Sequence, residues 1–263
     1  MIFILGAHGF VGSAFVDQCH QQGHEHVGIS RDNYQAYVGS ECQVFINANG
    51  NSRKYLAETD PLADFDMNVR ATLRSLLDFK AGLYVYLSSS DVYNDVSDPA
   101  RNGEDTTIDP SSLSRYGFGK YLGELAVRKY APKWLIIRMG GLLGPGLKKN
   151  PVYDMLHGRP LRVHPESSYQ YIDTRDLARI VLDLAFRGVS KEVFNVAGAG
   201  VIRLSDILRM LGQVSQENSL ERQHYEISTD KISVRCHVPE TADTVRSFLQ
   251  TVQQSNHKRS VVP

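Results

Sequence analysis

Short, continuous apolar runs alternate along the chain with longer stretches in which apolar residues recur every three or four positions. The runs cover residues 2–5, 26–29, 44–47, 83–88 and 135–138, and the periodic stretches cover 10–22, 65–79 and 114–130. Strands that are apolar throughout belong to a parallel sheet covered on both faces, and the periodic stretches belong to amphipathic helices. Their strict alternation predicts an α/β fold with a doubly wound parallel sheet. The rhythm changes after Arg138, where Gly140-Gly141 and Gly144-Pro145-Gly146 mark a turn-rich excursion. Regular structure is expected to resume at 169–172, with a helix at 176–186, a strand at 193–196 and helices at 204–211 and 242–252. This pattern divides the chain into a sheet domain (1–140 and 169–197), a small lobe (141–168 and 198–255) and a frayed polar tail (256–263).

Composition narrows the functional classes. The 263 residues carry 29 Lys and Arg against 29 Asp and Glu, a formal net charge of +0. Such a chain offers no broad basic face to nucleic acid and no polybasic anchor to a membrane. Cys19, Cys42 and Cys236 lie far apart with no paired spacing, which argues against a disulfide framework and fits a reducing compartment. The first apolar run meets Gly6 too soon to be a signal peptide, and no stretch approaches the ~20 apolar residues of a membrane span. A cytoplasmic protein is expected. His20, His24 and His26 are separated by Gly23 and read as a solvated turn, so no metal site is expected.

The chemistry begins at Gly6-Ala7-His8-Gly9-Phe10-Val11-Gly12, a G-x-x-G-x-x-G segment that leaves the first strand and opens the first helix. Glycine permits the tight turn and the close approach of backbone to a pyrophosphate, and the helix start offers free N–H groups to the anion. In this context the segment reads as the dinucleotide loop of a Rossmann fold rather than as a glycine-rich turn without a ligand. The second strand ends at Ser30-Arg31, where a carboxylate would favour NAD. A hydroxyl followed by a guanidinium suits the 2′-phosphate of NADP, although Asp32 next to it keeps NAD open.

Tyr116 and Lys120 form Y-x-x-x-K, which places a phenol and an ammonium on one helix face. A phenol of pKa about 10 becomes a usable acid or base when a cation stands beside it. Ser88, Ser89, Ser90 and Asp91 end a strong apolar strand upstream, at the side of a doubly wound sheet where ligands bind. A serine there can hydrogen-bond the oxygen that changes charge in the reaction.

With these motifs in this order, the chain resembles the extended short-chain dehydrogenase/reductases, and among them the NAD(P)-dependent sugar epimerase/dehydratase group, over roughly residues 1–250. Further matching segments are Asn47-Ala48-Asn49-Gly50, Asn68-Val69, Tyr93 at the end of S-S-S-D-V-Y, Tyr171-Ile172-Asp173, and Phe194-Asn195-Val196. The resemblance implies that Tyr116 transfers the proton, that Lys120 holds the nicotinamide ribose and tunes Tyr116, and that Ser89 binds the substrate oxygen. It implies a cofactor site of Gly6, His8, Gly9, Phe10, Val11, Gly12, Ser30, Arg31, Asn47, Ala48, Asn68, Ser88, Tyr116 and Lys120. It implies a substrate site drawn from Ser89, Ser90, Asp91, Tyr93, Gly141 and Tyr169. The expected cofactor is NADP or NAD, the expected substrate a nucleotide-activated sugar, and the expected assembly a homodimer through the helices bearing Asn68 and Tyr116.

The chain also departs from that pattern. Met139 replaces the usual proline after Arg138, and Tyr169-Gln170-Tyr171 stands where an Arg-Asp-Phe segment often reads a nucleotide sugar. Arg159, Arg162 and Arg175 are nearby in sequence as substitutes. Reduction or epimerisation of a keto group is the leading expectation. Three alternatives stay open: a sugar dehydratase with Asp91 as a second acid/base, a reductase of a non-sugar carbonyl, and a non-catalytic NADP(H) sensor.

Overall fold

The computed structural model describes residues 1–51, 53–214 and 218–260, with side chains described as far as residue 254. In chain order the elements are β1 (Ile2–Leu5), α1 (Gly12–Gln21), β2 (His26–Ile29), β3 (Glu41–Asn47), α2 (Leu56–Thr59), α3 (Pro61–Phe65), α4 (Ala71–Asp78), β4 (Lys80–Ser89) and α5 (Arg115–Tyr130). Next come β5 (Trp134–Met139), β6 (Gly141–Leu143), α6 (Pro151–Leu156), β7 (Ser168–Tyr169), β8 (Tyr171–Asp173), α7 (Thr174–Phe186) and β9 (Glu192–Val196). The chain finishes with β10 (Ile202–Arg203), α8 (Leu204–Met210), β11 (His224–Tyr225), α9 (Asp230–Ser233) and α10 (Thr241–Ser260).

Six parallel strands form one sheet in the order β2-β1-β3-β4-β5-β9. Successive side chains leave opposite faces of a strand. Ile4, Ile46, Val85 and Ile137 therefore pack on one side with Phe15 of α1 and Ile180 of α7. Phe3, Phe45, Tyr84 and Ile136 pack on the other with Phe79 and Val127 of α5. Both faces are covered, which is why the strands read as unbroken apolar runs. The winding reverses between β1 and β3, so their carboxyl ends open a crevice at the sheet's switch point.

A smaller layer lies beyond β5. It contains the pair β6-β8 and the three-stranded sheet β10-β7-β11, packed on a core that includes Leu143, Met155, Tyr171, Ile207 and Phe248. No described helix is long and apolar enough to cross a membrane.

Two elements differ from expectation. The single helix expected over 65–79 is broken by a π turn at Asp66–Arg70 between α3 and α4. Such turns insert a residue into the helical ladder, and here the buried Asn68 sits within it and hydrogen-bonds Asp64. The tail expected to fray keeps a helical backbone to Ser260 as part of α10, and residues 261–263 lie outside the described residues.

Candidate active site

The glycine loop turns tightly above the crevice. Gly6 adopts φ +82°, which only glycine reaches without strain, and Gly9 donates its N–H to the Gly6 carbonyl at 2.9 Å. A Cβ on Gly12 would stand 2.1 Å from the Gly6 oxygen, and one on Gly6 would stand 3.0 Å from the Ala48 carbonyl. The loop is thus clamped between α1 and the end of β3. His8 and Gly9 are exposed and Phe10 and Val11 half-buried, so the turn faces outward as an anion cradle must. Beyond β2, Asn33 receives the Ser30 N–H at 2.8 Å and donates to the Gly28 carbonyl at 2.9 Å. It pins the turn that presents the exposed Arg31.

Tyr116, on the first turn of α5, is 9 % exposed, and Lys120 one turn later is 5 % exposed. The Lys120 ammonium donates to the Leu87 carbonyl at 3.2 Å and lies 5.4 Å from the Tyr86 ring. Ser89, at the end of β4, donates to Asp91 Oδ2 at 2.7 Å. Asp91 Oδ1 accepts Lys54 Nζ at 2.7 Å and the Tyr225 hydroxyl at 3.4 Å. Lys54 lies 4.8 Å from the Tyr225 ring and 6.0 Å from the Tyr116 ring. One cleft therefore gathers side chains from the loop after β3, the end of β4, α5 and β11.

The electrostatics follow from this crowding. Burial, then the Asp91 and Asp64 carboxylates, push the Tyr116 phenol well above its ordinary value, while Ser89 works in the opposite direction. Burial draws Lys120 down to about 8 against the pull of Asp64, Glu124 and Asp91. Burial draws Lys149 down to about 8 as well, helped by Arg53 and Lys54 nearby. For Lys54 burial works against the charge, but Asp91 and Tyr225 outweigh it and raise the group.

Several expected site residues have partners within the protein. Ser88 donates to Glu124 Oε1 at 2.6 Å, beneath α5, where Glu124 and Arg138 form a buried ion pair at 2.8 Å. Asn47 directs its amide to Thr72 at 3.2 Å and Tyr84 at 2.9 Å, and its Oδ1 accepts the Asn49 N–H at 3.1 Å. The Tyr93 hydroxyl donates to Asn195 at 2.8 Å, and Ser90 is buried beside it. Gly141 is close-packed, since a Cβ there would meet the Gln170 carbonyl at 2.5 Å. Tyr169 stacks on Tyr225 at 5.5 Å and donates to Gln223 at 2.7 Å. Gln170, beside the Tyr169 that stands in place of the familiar arginine, is buried and hydrogen-bonds both backbone groups of Ile227. Of the arginines weighed as substitutes, Arg175 pairs with Asp173 at 2.8 Å and Arg159 lies over Tyr153 at 5.2 Å. Arg162 is exposed and has no contact at the cleft among the described residues. Lys54, Asp64, Asn51 and Tyr225 were not singled out by sequence, because no local spacing marks them.

A glycine loop at the switch point of a parallel sheet, facing a buried Tyr–Lys pair and a serine at a strand end, defines a dinucleotide-dependent enzyme of the extended short-chain dehydrogenase/reductase type. A model of the NAD dependent epimerase/dehydratase family matches residues 2–197, and the chain belongs to that family. It is 23 % identical over 244 residues to a GDP-6-deoxy-D-mannose reductase of Pseudomonas aeruginosa, covering 82 % of this chain and 80 % of that one. The fold is shared with a UDP-glucuronic acid 4-epimerase of Bacillus cereus, solved with a fluorinated UDP-sugar and NAD, at TM-score 0.77 and 18 % identity over 96 % of this chain and 99 % of that one. It is shared too with a dTDP-4-dehydrorhamnose reductase of Bacillus anthracis in complex with NADP, at TM-score 0.75 and 15 % identity over 95 % and 97 % of the two chains.

Proposed function

We propose that the protein reduces the keto group of a nucleotide-activated sugar with NADPH. The observation that carries this reading is the neutral, buried Tyr116 one helical turn from Lys120 and beside Ser89, at the crevice that the glycine loop overhangs. The residues fit a dinucleotide. The cradle at Gly6, Gly9 and Gly12 would be filled by any side chain on Gly12, and among the described residues the buried Lys120 ammonium has one carbonyl acceptor, with two N–H groups left over. The dinucleotide would be held by that loop, by Arg31 at its adenosine end and by Lys120 at its nicotinamide ribose. When bound it supplies a hydride to the carbonyl carbon.

The chain's own groups manage the oxygen. Ser89 hydrogen-bonds the carbonyl oxygen, and Tyr116 gives its proton to that oxygen as charge develops on it. Lys120 stabilises the phenolate that remains until solvent reprotonates it. Asp91, bound by Lys54, Ser89 and Tyr225, orders the cleft rather than serving as a second base, which weighs against water elimination. Arg53, Lys54 and Lys149, clustered at the cleft with Asp91 as their nearby acid, read the anionic part of the substrate in place of the absent arginine. Tyr225 on β11 and Tyr169 on β7, stacked on each other, would flank the sugar. Exposed Phe118 and Leu125 on α5, with Leu62 and Phe65 on α3, form the apolar face of a homodimer.

The test is turnover of nucleotide-linked 4-keto-6-deoxy sugars, followed by NADPH absorbance and by NMR of the product. NADPH loss matched by a new carbinol supports the reading, and Arg31→Ala should raise the NADPH Kd about tenfold while leaving NADH unchanged. A tightly held cofactor that never exchanges, with substrate and product at the same oxidation level, would point to epimerisation. Failure to bind either dinucleotide would overturn the reading.

A further inference from the structure

Asp64, at the end of α3, is 3 % exposed, and among the described residues no cation is paired with it. A lone buried carboxylate is costly unless something compensates it. Its Oδ1 accepts the side-chain amides of Asn51 at 2.7 Å and Asn68 at 2.8 Å. Asn68 Oδ1 in turn accepts the backbone N–H of Asn51 at 3.0 Å. A Cβ on Gly50 would lie 3.0 Å from Asn68 Oδ1 and 3.1 Å from Lys120 Nζ, and one on Gly119 would lie 2.9 Å from Asp64 Oδ2. Carboxylate, two amides and ammonium therefore close around one point, with bare glycines making the room.

Three carboxylates surround Lys120: Asp64 from α3, Glu124 from its own helix and Asp91 from beyond β4; Tyr86 and Tyr116 complete the titratable set. Glu124 is neutralised by Arg138, at 3.0 and 2.8 Å, and Asp91 by Lys54, at 2.7 Å. Asp64 is the carboxylate left for Lys120, and among the charges that oppose the effect of burial on Lys120 it is the largest.

We propose that Asp64 is a positioning residue for the Tyr116–Lys120 pair: its carboxylate fixes Asn51 and Asn68 around Lys120 and serves as the counter-charge of that ammonium. The consequence for turnover rests on the proton-transfer reading above; the test does not. Removing the carboxylate leaves burial with less opposition, so the ammonium loses its proton at lower pH.

The experiment is NMR titration of the full chain with lysine labelled at Cε and aspartate at Cγ, Lys120 being assigned by Lys120→Arg. Lys120 in the parent protein should titrate near 8. In Asp64→Asn its midpoint should fall by about one pH unit, whereas Asp60→Asn, on the exposed cap of α3, should leave it in place. An unmoved midpoint in a folded Asp64→Asn protein overturns the proposal. Should that variant not fold, the parent decides: the Asp64 Cγ signal must shift at the Lys120 midpoint, and its indifference there overturns the proposal equally. A shifted midpoint in a protein that turns over no keto sugar would sink the proposed reaction and leave this inference standing.

Discussion

Tyr116 meets two carboxylates and little water, and both circumstances favour its neutral form. A neutral phenol is the form needed to protonate an oxygen that has just received a hydride, so reduction does not weaken as pH falls toward 6. It weakens as pH rises through about 8, where Lys120 gives up its proton and the phenolate loses its support. The kcat/KM for reduction, measured from pH 6 to 9.5, should therefore show a basic limb near 8, and the reverse oxidation should gain with pH up to about 8 and level off above it. Tyr116→Phe should lower kcat by about 100-fold or more while leaving cofactor affinity nearly unchanged. A similar fall in affinity would place the hydroxyl in binding rather than in proton transfer.

At the scale of elements, α5 is built to lie close against β4. A Cβ on Gly123 would stand 2.2 Å from the Tyr86 hydroxyl, so the helix carries a glycine at a position where alanine would suit the helix itself better by about 1 kcal/mol. Gly123→Ala should nevertheless cost about 1–3 kcal/mol, read by chemical denaturation, because the overpacked contact outweighs propensity. The same contrast explains what the sequence could reveal. The strands, the glycine loop and the Tyr116–Lys120 pair depend on spacing within one turn or one run, and all three are legible. Lys54, Asp64 and Tyr225 become site residues only through contacts with distant segments. Lys54 reaches Asp91 across 37 positions, and Tyr225 reaches it across 134. Nor does spacing tell which way a side chain turns: Ser88 and Ser89 are neighbours, yet alternation in β4 sends one to Glu124 and the other to the cleft.

Across the whole molecule, Phe118 and Leu125 lie on the outward side of α5 at 41 % and 43 % exposure, and Leu62 on α3 reaches 79 %. The proposed homodimer would bury these residues. Light scattering after gel filtration should give twice the mass of one chain, and Leu125→Glu should return it to one; a monomer in the parent protein would remove the dimer from the reading. The fold carries a consequence for redesign as well. Tyr225 arrives on β11, a strand of two residues paired with β7, yet its hydroxyl touches the Asp91 carboxylate at the heart of the cleft. The side chain that would judge the substrate thus stands on a strand outside the sheet that would carry out the chemistry, while Ile227 and Ser228 just after it are tied to Gln170, Asn102 and Asn195. Varying the exposed residues just before Tyr225, with Tyr225, Ile227 and Ser228 kept, should change what the enzyme accepts more than how it reacts, and laboratory selection for new substrates would find its productive variation there.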